Sequence, residues 1–262
     1  MAEPPRPLLE SLAPEEIQVL DELIAEFPGC DTYTLARFMR ARQSQFQPAK
    51  QMFSNFLQWR EEFGTDRIHE FEFPELPQVQ QFYPHGFHKT DRLGRPIYIE
   101  QYGKLNLTEL FNVTTQERML QYYVKSYEKM LTEKFPACSA AAGYPVEQSL
   151  TILDLGGSAM SLMSKQVYDF IQLASSIAQD YYPEILGKMF VVNTPMLFSM
   201  VWKGVKPMLN EKTVNKISLE GSSYRPKLLE LVAPENLPEF LGGTCRCPGG
   251  CLESSPGPWS SV

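Results

Sequence analysis

Apolar positions along this chain follow two rhythms, and the change falls near Phe82. Before it, they recur every three or four residues, the period of a helix with one buried face. Ile17, Leu20, Ile24 and Phe27 form the first such stripe. It follows Pro14, which suits a first helical turn, and Glu15 and Glu16, which suit the positive end of a helix dipole. Asp31 is placed to cap a second helix through Leu35, Phe38 and Met39. Pro48 opens a third, with Phe53, Phe56, Trp59 and Phe63 on one side. Residues 1–70 therefore read as a small helical unit.

Beyond Phe82, strands alternate with helices. Asp91-Arg92-Leu93-Gly94 is a turn signal leading into a strand, Ile97 to Tyr102. A long amphipathic helix follows, near Gln116 to Phe135. Ser149 to Leu155 reads as a second strand, and Met163 to Tyr181 as a helix whose stripe is Val167, Phe170, Ile171, Ala174, Ile177 and Ala178. Then come a strand (Lys188 to Asn193), an apolar block (Met196 to Met208), a strand (Asn215 to Leu219) and a last helix around Pro226 to Val232. Strands separated by helices predict βαβ units: an α/β fold with a mostly parallel sheet flanked by helices, over residues 75–245. Residues 246–262, rich in Cys, Gly, Ser and Pro, read as an extended or flexible strap.

Composition narrows the function. The net charge of -7 argues against nonspecific nucleic-acid binding. No run of about 18 apolar residues spans a bilayer. The first residues, MAEPPRPLLE, do not have the form of a secretory signal. Five cysteines in a chain of 262 residues are expected to be reduced, as in the cytosol.

Catalytic motifs are weak. Asp154-Leu155-Gly156-Gly157 lacks the full glycine pattern of a phosphate loop, and no GxSxG occurs. His85 and His88 are assigned to a loop, with no carboxylate or cysteine cluster beside them. Cys245-x-Cys247-x3-Cys251 has three soft ligands but lacks a fourth ligand and a nearby histidine, so it reads as a cysteine-rich strap and no metal is expected.

The stretch around the apolar block is more informative. Glu184 precedes one strand, Lys216 is placed at the start of another, and the segment between them is too apolar for a plain surface helix. That combination predicts an apolar cavity with a polar mouth, suited to an amphiphile. Ser149 and Thr151 stand two apart on a strand, so both hydroxyls face one side and could hold a phosphate. Tyr98 and Tyr127 could wall a quaternary amine. Arg37, Arg40 and Arg42 read as a solvated basic face.

Five motifs come in order: Leu35-Ala36-Arg37-Phe38-Met39-Arg40-Ala41-Arg42, Asp91 to Pro96, Tyr181-Tyr182-Pro183-Glu184, Asn193-Thr194-Pro195 and Pro238-Glu239-Phe240-Leu241-Gly242-Gly243. In this the chain resembles the CRAL-TRIO lipid-binding family, and within it the phosphatidylinositol/phosphatidylcholine transfer proteins of the secretory pathway. The resemblance covers roughly residues 14 to 245, and Gly257-Pro258-Trp259 also fits. It implies no catalysis and no cofactor beyond a bound phospholipid. It implies that Glu184 and Lys216 engage an inositol lipid headgroup, with Thr213 and Arg42 beside them. Ser149 and Thr151 would hold the phosphate of phosphatidylcholine, with Tyr98 and Tyr127 near the choline. Met196, Phe198, Met200, Val201, Trp202 and Val205 would form a gating helix over the cavity. Two positions depart from the family: Phe87 stands where a choline-site tyrosine is usual, and Gln43 where a second basic residue is common. The implied protein is a cytoplasmic monomer, peripheral to Golgi and endosomal membranes, that supports phosphoinositide signalling and Golgi trafficking. It would touch membranes transiently and have a phosphatidylinositol kinase as a possible partner. Two alternatives stand beside lipid exchange: a lipid-loaded adaptor presenting phosphatidylinositol to a kinase, and a carrier of another hydrophobe such as a sterol or tocopherol.

Overall fold

The computed structural model describes residues 7–157, 165–196 and 198–261. Met163, named above, and Leu197, inside the apolar block, lie outside them, as does the side chain of Val167.

The N-terminal unit is three helices, α1 (Pro14–Glu26), α2 (Thr32–Ala41) and α3 (Phe46–Phe63). Asp31 caps α2, its carboxylate accepting the Thr34 N–H at 2.8 Å. Gly64, at φ 73, ends α3 in the left-handed conformation glycine adopts without strain. Leu20, Leu23, Leu35, Phe38, Met39, Phe53 and Phe56 form its core. The predicted stripe of α1 is off by a fraction of a turn: Ile17 and Ile24 are exposed, and Leu23 is buried. The unit docks through Trp59, stacked on Tyr181 at 4.0 Å, and through the Arg60–Glu128 pair at 2.9 Å.

The rest is a five-stranded sheet in order β1-β2-β3-β4-β5: β1 (His85–Thr90), β2 (Pro96–Glu100), β3 (Ser149–Asp154), β4 (Leu186–Val192) and β5 (Ile217–Leu219). Among the described residues, only the β1–β2 pair is antiparallel. The helices are α4 (Leu76–Phe82), α5 (Leu107–Val113), α6 (Gln116–Lys129), α7 (Phe135–Ala142), α8 (Lys165–Tyr181), α9 (Phe198–Val205), α10 (Glu211–Lys216) and α11 (Arg225–Leu231). The long helix predicted from Gln116 instead breaks into α6, a π-helical turn at Met130–Lys134, and α7. Pro136, which has no N–H to donate, sits in the first turn of α7. No helix among the described residues is long and apolar enough to cross a membrane.

Each strand presents alternate residues to opposite faces. Ile97, Ile99, Leu150, Ile152, Phe190 and Val192 pack one face against Tyr224, Leu228, Val232, Leu237, Leu241 and Leu252. The paired row Phe87–Tyr98–Thr151–Met189–Ile217 crosses the other face. That second face is roofed by α6, α8 and α9 and holds the hollow described below.

Three expectations are corrected. His85 and His88 lie in β1, not a loop. Lys216 is the last residue of α10, and the strand starts one residue later at Ile217, because Asn210 caps a helical turn by accepting the Thr213 N–H at 2.7 Å. The C-terminal segment, expected as an extended or flexible strap, is not flexible but lies along β1, with Lys89 N–H donating to the Pro256 carbonyl at 2.6 Å. A Cβ at Gly86 would stand 2.3 Å from the Leu252 carbonyl oxygen, so the strap reaches β1 only because residue 86 has no side chain.

Candidate functional site

The roofed face of the sheet encloses a hollow of about 440 Å³. Its floor is the sheet: Tyr98 and Glu100 from β2, Ser149, Thr151 and Leu153 from β3, Met189 and Val191 from β4, and Ile217 from β5. Ile171, Ala174 and Ala178 of α8 face them. Phe198, Val201, Trp202 and Val205 of α9 close the side. The walls are mainly apolar, and polar groups gather at two places.

The first is the mouth. Glu184 enters β4 at φ 63, a conformation that costs a non-glycine residue about 1–2 kcal/mol. Its carboxylate is 3.2 Å from the Lys216 ammonium and 3.6 Å from that of Lys212. Thr213, on the same turn of α10, also lines the hollow. Arg42 does not: it ends α2, its guanidinium donating to the Ala41 carbonyl, while Ala41 and Gln43 on either side line the mouth. Arg40 is not a solvated cation either, being paired with Glu16 at 3.3 Å.

The second is the aromatic end. Phe87 and Tyr98 meet at 4.9 Å between ring centres, and Tyr127 stacks on Tyr182 at 4.6 Å. The Lys134 ammonium lies 4.7 Å from both the Phe87 and Trp259 rings, and burial pushes its pKa down to about 8. Phe87 thus already shares its ring with a cation. Ser149 and Thr151 both line the hollow, and the Ser149 hydroxyl donates to the Ile185 carbonyl at 3.3 Å.

A buried acid also lines this end and escaped the sequence reading. Glu100 accepts hydrogen bonds from the Tyr83 and Tyr123 hydroxyls. Burial raises its pKa above the ordinary carboxylate value, and the phenol donors only partly offset that. The alternation Tyr98-Ile99-Glu100 contains the clue, because it puts Glu100 on the same face as Tyr98. A raised pKa means the folded state holds this proton more tightly than the unfolded chain. Stability is therefore lost as pH rises from the ordinary value of 4.5 through the raised one. Glu100→Gln keeps a carbonyl for the two phenols and removes the titration. Thermal melts from acid to neutral pH should show the variant gaining on the wild type as pH rises; parallel curves would count against a raised pKa.

The predicted gating helix divides into two faces. Phe198, Val201, Trp202 and Val205 line the hollow, but Met196 is 96 % exposed and Met200 52 %. Those two methionines close nothing; with exposed Lys203 and Lys206 they form the outer face. No residue of α9 is buried, and Phe198 packs from its edge against the apolar cluster around Phe170 and Val191.

Comparison with known proteins identifies the domain that holds this hollow. Residues 80–243 match the CRAL/TRIO domain. The chain is 44% identical over 266 aligned positions to the phosphatidylinositol/phosphatidylcholine transfer protein SFH4 of Arabidopsis thaliana, covering 95% of this chain and 44% of that one. It is 47% identical over 230 positions to the Sec14 cytosolic factor of Schizosaccharomyces pombe, covering 87% of this chain and 80% of that one. It therefore spans less than half of the plant relative and most of the yeast one. The crystal structure of Sfh5 superposes with a TM-score of 0.66 at 20% identity, covering 84% of each chain, and supports the fold.

Proposed function

The chain belongs to the CRAL/TRIO domain family, and from that premise we propose that it exchanges single phosphatidylinositol or phosphatidylcholine molecules between membranes. One observation carries the reading: an apolar hollow on one face of the sheet, with an acid–base pair at its mouth and a helix with no buried residue along its side. A diacyl lipid has roughly 30 chain methylenes, each costing about 0.8 kcal/mol to expose to water. Escape from a bilayer is slow for that reason, and a carrier helps only by keeping the chains dry throughout.

The assigned residues divide that task. Glu184, Lys216 and Thr213 receive the inositol headgroup, with Arg42 adding positive charge from just outside. Ser149 and Thr151 receive the choline-lipid phosphate, with Tyr98 and Tyr127 as the aromatic wall. α9 is the gate, and no step breaks a covalent bond. The protein works as a monomer in the cytosol, visiting Golgi and endosomal membranes, where a phosphatidylinositol kinase draws on the lipid it delivers.

Mass spectrometry of lipid extracted from the purified protein is the direct test. About one phosphatidylinositol or phosphatidylcholine per chain supports the proposal; a sterol or tocopherol instead would replace it. Met200→Glu tests the outer face of α9. Burying a methionine at a lipid surface is worth about 1–2 kcal/mol, so the variant should transfer lipid between vesicles roughly five- to thirtyfold more slowly while still carrying it. An unchanged rate would remove that face from membrane contact.

A further inference from the structure

The strap and β1 meet at a cluster of soft ligands that the lipid site does not use. One ring nitrogen of His88 and the sulfurs of Cys245, Cys247 and Cys251 all lie within 4.8 Å of one another. Along the sequence no histidine stands near these cysteines; the fold supplies one. β1 carries His88 beneath the strap, 163 positions from Cys251 along the chain.

We propose that these four residues form a structural zinc site that fastens the C-terminal strap to the edge of the sheet. Four-coordinate zinc with bonds of about 2.3 Å to sulfur and 2.0 Å to nitrogen sets ligand atoms roughly 3.5–3.8 Å apart. The Cys245 and Cys247 sulfurs are already 3.5 Å apart. That is far beyond the ~2.05 Å of a disulfide.

The backbone is shaped to gather these groups. Gly249 and Gly250, at φ 78 and 96, turn the chain between Cys247 and Cys251, and the Gly250 N–H donates to the Cys247 carbonyl at 3.1 Å. The turn brings the Cys251 sulfur 3.6 Å from the Cys245 carbonyl oxygen.

The histidine carries the argument furthest. Its Nδ1 is 2.9 Å from the Cys251 carbonyl, an acceptor only, so Nδ1 holds the proton. Nε2 then presents a lone pair, yet it is buried and has no hydrogen-bond partner among the described residues. A buried polar atom left unpaired costs about 1–3 kcal/mol. A metal-binding histidine characteristically gives its other N–H to a backbone carbonyl, which fixes the tautomer that leaves the ligating nitrogen free. The Lys89 ammonium lies beside the Cys245 sulfur and offsets the excess charge of three thiolates on one divalent ion. Binding displaces three thiol protons to solvent and leaves the imidazole neutral; no electron moves.

The consequence is structural. Phe87, next to His88 on β1, turns to the opposite face and lines the lipid hollow, and Trp259 at the far end of the strap packs 6.1 Å from its ring. Zinc would fix this wall from behind.

The test uses the full chain, purified without an affinity metal and under reduction. Elemental analysis should find about one zinc per chain, and cobalt chloride added to protein stripped by a chelator should give the visible absorption of tetrahedral thiolate coordination. Cys251→Ser and His88→Ala should each weaken zinc retention at least about tenfold. Chelator should lower the melting temperature of the wild type and leave the variants unmoved. Three free thiols with no metal taken up from zinc chloride would overturn the proposal, and so would a disulfide between any two of the cysteines. Zinc bound equally by the wild type and both variants would overturn it too. The wild-type assays stand even where a variant fails to fold.

Discussion

Lys216→Ala should cut phosphatidylinositol transfer between vesicles by tenfold or more while leaving phosphatidylcholine transfer and the melting temperature near those of the wild type. The pair it breaks is partly exposed, with side chains 23% and 18% accessible, and such ion pairs contribute only about 0–1 kcal/mol to stability. Lys212 remains 3.6 Å from Glu184, so the acid is not left without a cation. A charge-assisted hydrogen bond to a headgroup is worth about 1.5–3 kcal/mol. At 1.4 kcal/mol per decade, that is roughly tenfold to a hundredfold in affinity. Glu184→Ala should act on the same lipid in the same direction, because both groups face the same mouth. Equal loss of both lipids would assign Lys216 to the gate or the fold, and no loss of either would remove it from the site.

Ala174→Trp should abolish lipid loading and leave a folded protein. Ala174 projects from α8 into the hollow, across from the sheet row that includes Thr151 and Met189. In a filled core, added bulk of this kind costs about 1–3 kcal/mol. Here the indole enters open space, so its burial offsets much of the strain, and the melting temperature should hold. The lipid extracted with the purified variant should fall at least about tenfold, because acyl chains and indole compete for the same volume. A normally loaded variant would show that the chains lie elsewhere.

Much of this was legible from the order of residues. The parallel strands β2, β3 and β4 announce themselves as short apolar runs between helical stripes, and local chemistry suffices to place them. Ser149 and Thr151 fall on one face by the two-residue period alone. β1 escaped because His85-Gly86-Phe87-His88-Lys89-Thr90 has too few apolar residues to signal a strand. It is one because β2 and the strap hydrogen-bond to its two sides. Lys216 was placed in a strand because the period of a six-residue helix is too brief to read.

By itself the sequence determined the alternation of helices and parallel strands, the shared face of Ser149 and Thr151, and that a greasy segment lies between an acid and a base, since each follows from propensity and spacing within one stretch of chain. Only the tertiary structure decided what meets what. It put Glu100 beneath two tyrosine hydroxyls, turned Met196 and Met200 outward while Trp202 faces in, and carried His88 to three cysteines far along the chain. Such meetings depend on strand order and on the rotation of helices about their axes. Those are set by the packing of the whole chain at once, and no local window contains them.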